Sequence, residues 1–181
     1  MHTYLYRLNT LFTIASTTLA VICVATSLTD WTIRPDPKVK LAVQSYDGLQ
    51  KEYRNDRAWL TVDVEADLRS VFHWNTKQAF VYITADFKTA QNAVNEVMIW
   101  SRIVQEKGNA NVRELVRLEY PYALTDPSYS MRNLTCDLHL DWETVPVVGV
   151  LHRSRRSFGE FVFPGDYFRT KAVPRNSNSG W

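Results

Sequence analysis

Cysteine and glycine are scarce in this chain, at two and six among 181 residues. Cys23 falls within the N-terminal apolar stretch and Cys136 lies far downstream, so no internal disulfide is expected. Two cysteines cannot build a zinc site alone, and no Cys-x-x-Cys or His-x-x-x-His spacing is there to complete one. The net charge of +2 gives no basis for nucleic-acid binding. A Gly-x-Ser-x-Gly elbow is missing, so the commonest hydrolase turn is excluded. Internal repeats are missing too. Neither a metal nor an organic cofactor is expected.

What is present begins with an uncharged run, residues 8–29, between Arg7 and Asp30. A bilayer-spanning helix needs about 20 mostly apolar residues, and this run is long enough. It also exceeds the roughly 7–15 apolar residues of a cleaved signal peptide, with Cys23 and Ala25 as the small residues before a cut, so its length favours a retained span. Asn9, Thr13, Ser16, Thr17 and Ala20 recur at spacings of three and four, and Ser27 continues the line. They share one helix face, and small residues let a neighbouring membrane helix approach closely. The face at Asn9, Thr13, Ser16 and Ala20 is therefore a candidate helix-packing surface. A weakly apolar span that merely tolerates Thr and Ser fits these residues equally well.

The rest reads as strands. Leu60, Val62, Val64 and Ala66 alternate with Thr61, Asp63, Glu65 and Asp67. Leu134, Cys136, Leu138, Leu140 and Trp142 alternate in the same way with Thr135, Asp137, His139, Asp141 and Glu143. Period two marks one buried face and one wet face. Further strands are predicted over 39–46, 78–87, 96–104, 112–120 and 158–163. A short helical turn capped by Thr89 is predicted over 89–95. Abundant aromatics at 13% and little helix point to a mainly β fold, one antiparallel sandwich preceded by a transmembrane helix. The predicted organisation is a short N-terminus (1–7), the span (8–29), the β domain (30–173) and a polar, disordered tail (174–181). Pro35-Asp36-Pro37 is a stiff connector between span and domain.

Chemistry-bearing residues are dispersed. His2, His73, His139 and His152 are isolated from one another in sequence. The acidic rows Asp63, Glu65, Asp67 and Asp137, Asp141, Glu143 could pair carboxylates for glycoside hydrolysis or calcium, but a solvated sheet face accounts for the alternation better. Arg153, Arg155 and Arg156 read as a soluble loop, with contact to anionic headgroups as the alternative. Asn133-Leu134-Thr135 is an N-glycosylation acceptor pattern at the entrance to a strand. Its use would put the domain in the lumen and the N-terminus in the cytosol. The count of positive charges leans the other way, with Arg7 on the short side and Arg34, Lys38 and Lys40 on the long one, but large domains translocate largely regardless of charge.

The block at residues 66–82 contains Phe72-x-Trp74-Asn75-x-Lys77-Gln78 between an acidic-Leu pair and an aromatic strand. Asn92, Asn95 and Ile99-Trp100 follow, then Arg132-Asn133-Leu134-Thr135, Leu140-Asp141-Trp142, Val145-Pro146 and Gly149. In this order they resemble the signature of the signal peptidase complex subunit 3 family, the 22/23 kDa subunits, over nearly the whole chain. Ser101 stands where that family usually carries an acid, and the tail beyond Phe168 is unlike the family's ending.

The resemblance implies a single-pass type II glycoprotein of the endoplasmic-reticulum membrane with a lumenal β-sandwich and a signal-anchor helix. It implies a non-catalytic subunit, with sugar at Asn133. The implied partners are the catalytic serine-endopeptidase subunit, the other subunits of the complex and the membrane lipids. Signal-peptide-bearing precursors are the substrates of the complex. Ser130-Met131 resembles the Ser-Met of signal peptidase active sites, but Arg132 and Asn133 follow where those enzymes carry a proline, so Ser130 reads as a turn residue. Phe72, Trp74 and Trp100 are candidate docking anchors, with core packing equally open to each. The rival reading is a membrane-tethered or secreted β-sandwich that binds a sugar or cell-surface ligand.

Overall fold

A computed structural model of the chain describes residues 3–118 and 124–169. The tail at 174–181, His2 and the end of the strand predicted over 112–120 lie outside the described residues.

Helix α1 spans Tyr4–Asp30 without a break, long and apolar enough to cross a membrane. The hydroxyls of Thr13, Ser16 and Thr17 donate to the carbonyls of Asn9, Phe12 and Thr13 at 2.8–2.9 Å. These hydroxyls are thereby satisfied within the helix itself. Residues 3–22 are all exposed, including the predicted packing face at Asn9, Thr13, Ser16 and Ala20.

Nine strands follow among the described residues: β1 (Lys38–Lys51), β2 (Asp56–Asp67), β3 (Thr76–Phe87), β4 (Asn95–Val104), β5 (Asn111–Arg117), β6 (Leu124–Asp126), β7 (Thr135–Pro146), β8 (His152–Val162) and β9 (Phe168–Arg169). One sheet has the order β5-β2-β1-β9, with β6 also pairing β2; the other is β4-β3-β7-β8. Every pairing among the described residues is antiparallel.

The inward faces meet in one core. Leu60, Val62, Val64 and Ala66 of β2 oppose Val81, Ile83 and Ala85 of β3 and Leu138, Leu140 and Trp142 of β7. Each leucine, isoleucine and valine among them contributes about 1.5–3 kcal/mol on leaving water. Tyr46 of β1 meets Phe161 of β8 across the two layers, with ring centroids 6.2 Å apart. The mainly β, sandwich-like arrangement behind an apolar helix is therefore the architecture expected from period two.

Three local expectations are corrected. Residues 89–94 make an irregular, bent connection, not a helical turn, and Asn95 already begins β4. Thr89 does act as a cap, since its Oγ1 accepts from Asn92 N–H at 3.1 Å, but Asn92 O takes Thr89 N–H and closes a strand-to-strand turn instead. Arg153, Arg155 and Arg156 do not sit in a loop. They lie on β8, which begins at His152, because β7 offers acids across the ladder. The polar face of β7 is not uniformly solvated either: Asp141 is fully buried beneath its strand neighbours.

Candidate functional site

The site grows from the end of α1. Asp30 closes the helix and is almost fully buried, as is Asn75, which follows the short 3-10 turn Arg69–Val71. Asn75 Nδ2 donates to Asp30 Oδ2 at 2.7 Å and to Val148 O at 2.7 Å. Its Oδ1 accepts from Val148 N–H at 3.1 Å, and its backbone carbonyl accepts from Val147 N–H at 2.7 Å. One amide thus ties three segments together: the helix end, the entry to β3 and the β7–β8 turn. His73 Nδ1 lies 4.0 Å from Asp30 Oδ1, completing the polar lining of the junction.

Below Asp30 the helix itself touches the domain. Gly149 sits so close to Ser27 that an added Cβ would lie 2.9 Å from the serine Oγ, and its φ of +125° admits glycine most readily. Cys23, Thr26, Ser27 and Asp30 are the helix residues with reduced exposure. Their spacing of three, one and three places them on one face, so the last two turns of α1 lean on the sandwich. Ser27 is also the last residue of the small-residue line predicted from the sequence, and the chain's own Gly149 occupies that position.

A second polar cluster covers the outer face of the β4-β3-β7-β8 sheet. Arg155 Nε donates to the buried Asp141 Oδ1 at 2.8 Å; its other nitrogens reach Asp86 Oδ2 at 3.3 Å and Glu96. Arg153 Nη2 lies 3.3 Å from Asp141 Oδ1 and 3.7 Å from Glu96 Oε1. Thr84 Oγ1 donates to Asp141 Oδ2 at 3.1 Å, and His139 Nε2 stands 3.3 Å from Asp86 Oδ2. The hydrogen bond to Asp141 raises the Arg155 guanidinium pKa further. Burial pushes the Asp86 carboxyl up, against the pull of His139. Register explains the cluster: Asp141 lies opposite Tyr82 on one side and Arg155 on the other. Arg156 points elsewhere, donating to Asp36 Oδ1 at 2.8 Å and so fixing the connector to β8.

The predicted acidic rows do not combine, because Asp63, Glu65 and Asp67 belong to one sheet and Asp137, Asp141 and Glu143 to the other. Among the described residues no group of three potential metal ligands converges. Ser130 sits in the segment after β6, where its hydroxyl meets Ser128 Oγ at 2.6 Å and Asp126 Oδ2 at 3.2 Å. These are turn-forming contacts with an acid, without a basic partner. Cys136 is wholly buried, and burial followed by the nearby Asp137 and Asp86 charges pushes its thiol far above the ordinary value.

The signature residues are dispersed over the fold. Phe72, Trp100 and Trp142 are in the core, so of the three candidate anchors only Trp74 presents its ring to the surface. Lys77 is exposed, while Gln78 and Pro146 are half-buried on the paired strands β3 and β7. Asn92 and Asn95 close the β3–β4 turn, with Asn95 Nδ2 donating to Phe87 O at 3.2 Å. Asn133 and Thr135 are exposed, and Asn133 adopts the left-handed conformation at φ +55°. Phe87 pairs with Cys136 and Thr76 with Pro146. The acceptor pattern is therefore at the end of the sheet away from the helix, roughly 36 Å from the junction at about 3.3 Å per residue of β3. The Asp30–Asn75 contact escaped sequence reading because 45 positions separate the partners. The only cue was the position of Asn75 inside the signature block.

A family model described as "Signal peptidase subunit" matches residues 1–166. Signal peptidase complex subunit 3 of Homo sapiens is 31% identical over 180 residues, covering 95% of this chain and 99% of the relative. The Gallus gallus protein of that name gives the same identity and coverage. The Dictyostelium discoideum one is 27% identical over 169 residues, covering 93% of this chain and 98% of the relative.

Proposed function

We propose, from the premise that this chain belongs to the signal peptidase subunit family, that it is a non-catalytic scaffold for a membrane-bound serine endopeptidase. In this reading the N-terminus is cytosolic, α1 anchors the chain in the endoplasmic-reticulum membrane, and the sandwich stands in the lumen with sugar on Asn133. The span is residues 8–29, and the β domain runs from residue 30 to 173. The exposed face at Asn9, Thr13, Ser16 and Ala20 packs against a membrane helix of the catalytic subunit. The sandwich holds that subunit's lumenal part over the point where a signal peptide emerges.

The observation that carries this reading is the Asn75 junction. A helix joined to a rigid sheet by buried hydrogen bonds transmits position, which is what a scaffold must do and what a freely tethered ligand-binding module does not need. Ser130 supports the reading because its hydroxyl is used by its own turn. Depleting this subunit while the catalytic one is kept at its normal level should leave secretory precursors with their signal peptides attached. Normal processing after depletion would refute the proposal.

A further inference from the structure

The β7–β8 turn, residues 147–151, exposes Val147, Val150 and Leu151 by 65, 67 and 49%, and Trp31 and Trp74 beside it are exposed by 76 and 65%. Turns in water are normally polar, and clustered large apolar side chains mark a surface that something covers. The location of this cluster identifies its cover. Val147 and Val148 are bonded to Asn75, which is bonded to the end of α1. Gly149 touches Ser27, three residues before the helix end and inside the uncharged run. At 1.5 Å per residue the turn thus reaches about 4.5 Å below Asp30, to the level of the span itself. Trp31 follows the helix directly, and Trp74 precedes Asn75.

We infer that Trp31, Trp74, Val147, Val150 and Leu151 form a collar that seats the domain in the interfacial layer of the bilayer, between headgroups and acyl chains. The collar's partner is lipid. Irregular backbone enters such a layer only when its polar groups are satisfied internally. Asn75 does this for the start of the turn, serving Val147 N–H, Val148 N–H and Val148 C=O at once. Trp is the residue favoured at this depth, with its ring in the apolar layer and its N–H toward water. The collar fixes the height and tilt of the sandwich above the membrane in addition to the hold of the span. The inference rests on the retained span proposed above.

The test uses the full-length chain in phosphatidylcholine vesicles, alone and with its co-purifying partners. In a Cys23→Ala background the buried Cys136 stays unlabelled, and nitroxides are attached at Leu151→Cys, Val147→Cys and, as an aqueous reference, Tyr53→Cys, whose native side chain is 92% exposed. The collar predicts that labels at 147 and 151 collide several-fold more with oxygen than with a water-soluble nickel chelate, and that the label at 53 does the reverse. Labels at 147 and 151 that behave like the one at 53 overturn it. So do labels shielded from both reagents, which would indicate a protein interface.

The unlabelled chain gives an independent readout. Lipids carrying a doxyl group near the headgroup should quench tryptophan emission in the native chain and at least twofold less in Trp31→Phe/Trp74→Phe; equal quenching overturns the collar. Extraction at alkaline pH separates the two readings. A chain that leaves the membrane contradicts the retained span, whereas a chain that stays while its labels remain aqueous contradicts the collar alone.

Discussion

Asp126, at the end of β6, is almost completely buried, yet its carboxyl is held below the ordinary value. Burial alone would raise it. The hydrogen bonds from Ser128 Oγ at 2.5 Å, Ser130 N–H at 3.1 Å and Ser130 Oγ at 3.2 Å outweigh that effect. A carboxyl depressed on folding stabilises the fold above its unfolded value of 3.8, and the contribution is lost as pH falls through the lower folded value. Ser128→Ala and Ser130→Ala together should therefore cost about 1–2 kcal/mol at neutral pH. The gap from the native chain should narrow between pH 7 and pH 3 in urea unfolding. A pH-independent gap would show that the serines act by packing alone. Ser130 was legible as a turn residue from its neighbours, whereas the depth of Asp126 was not, since the cover over it comes from distant segments.

At the scale of elements, alternation was the readable signal. β2 and β7 show it over most of their length and were found with their inward and outward faces assigned. β8 shows where the signal fails. Its first half reads His-Arg-Ser-Arg-Arg-Ser, a basic run with the look of a loop, and becomes a strand because Asp141, Asp86 and Glu96 lie across the sheet to neutralise it. That information is non-local. β6 and β9, three and two residues long, are set by pairing to β2 and β1 and carry no pattern of their own.

The junction between α1 and the sheets is equally non-local, and it predicts a clear phenotype. Asn75→Ala removes the amide partner of the buried Asp30 carboxylate and of two turn groups, Val148 N–H and Val148 C=O, so it should cost about 2–4 kcal/mol. Hydrogen exchange at Val147 and Val148 should accelerate at least tenfold. Asn75→Asp keeps the shape but sets a second negative charge against Asp30, so it should be at least as damaging at pH 7. Unchanged protection of these two amides in both variants would show that helix and sandwich are not coupled through Asn75.

At the scale of the whole molecule, the apolar helix, the sandwich and their buried junction form one piece with a long axis. The apolar helix lies at one end, and the Asn133 acceptor and the Asp126 turn lie at the other. Cys136 is committed to the core and the Ser130 hydroxyl to its own turn. The proposed role is to position other chains, with the peptidase activity belonging to a companion. The most direct measurement is to purify the tagged native chain in mild detergent, once with its companions and once stripped of them, and to incubate each with a leader-bearing polypeptide. The account predicts cleavage by the assembly, with a serine endopeptidase that has its own membrane helix found in it by mass spectrometry, and no cleavage by the stripped chain. Cleavage by the stripped chain would contradict it.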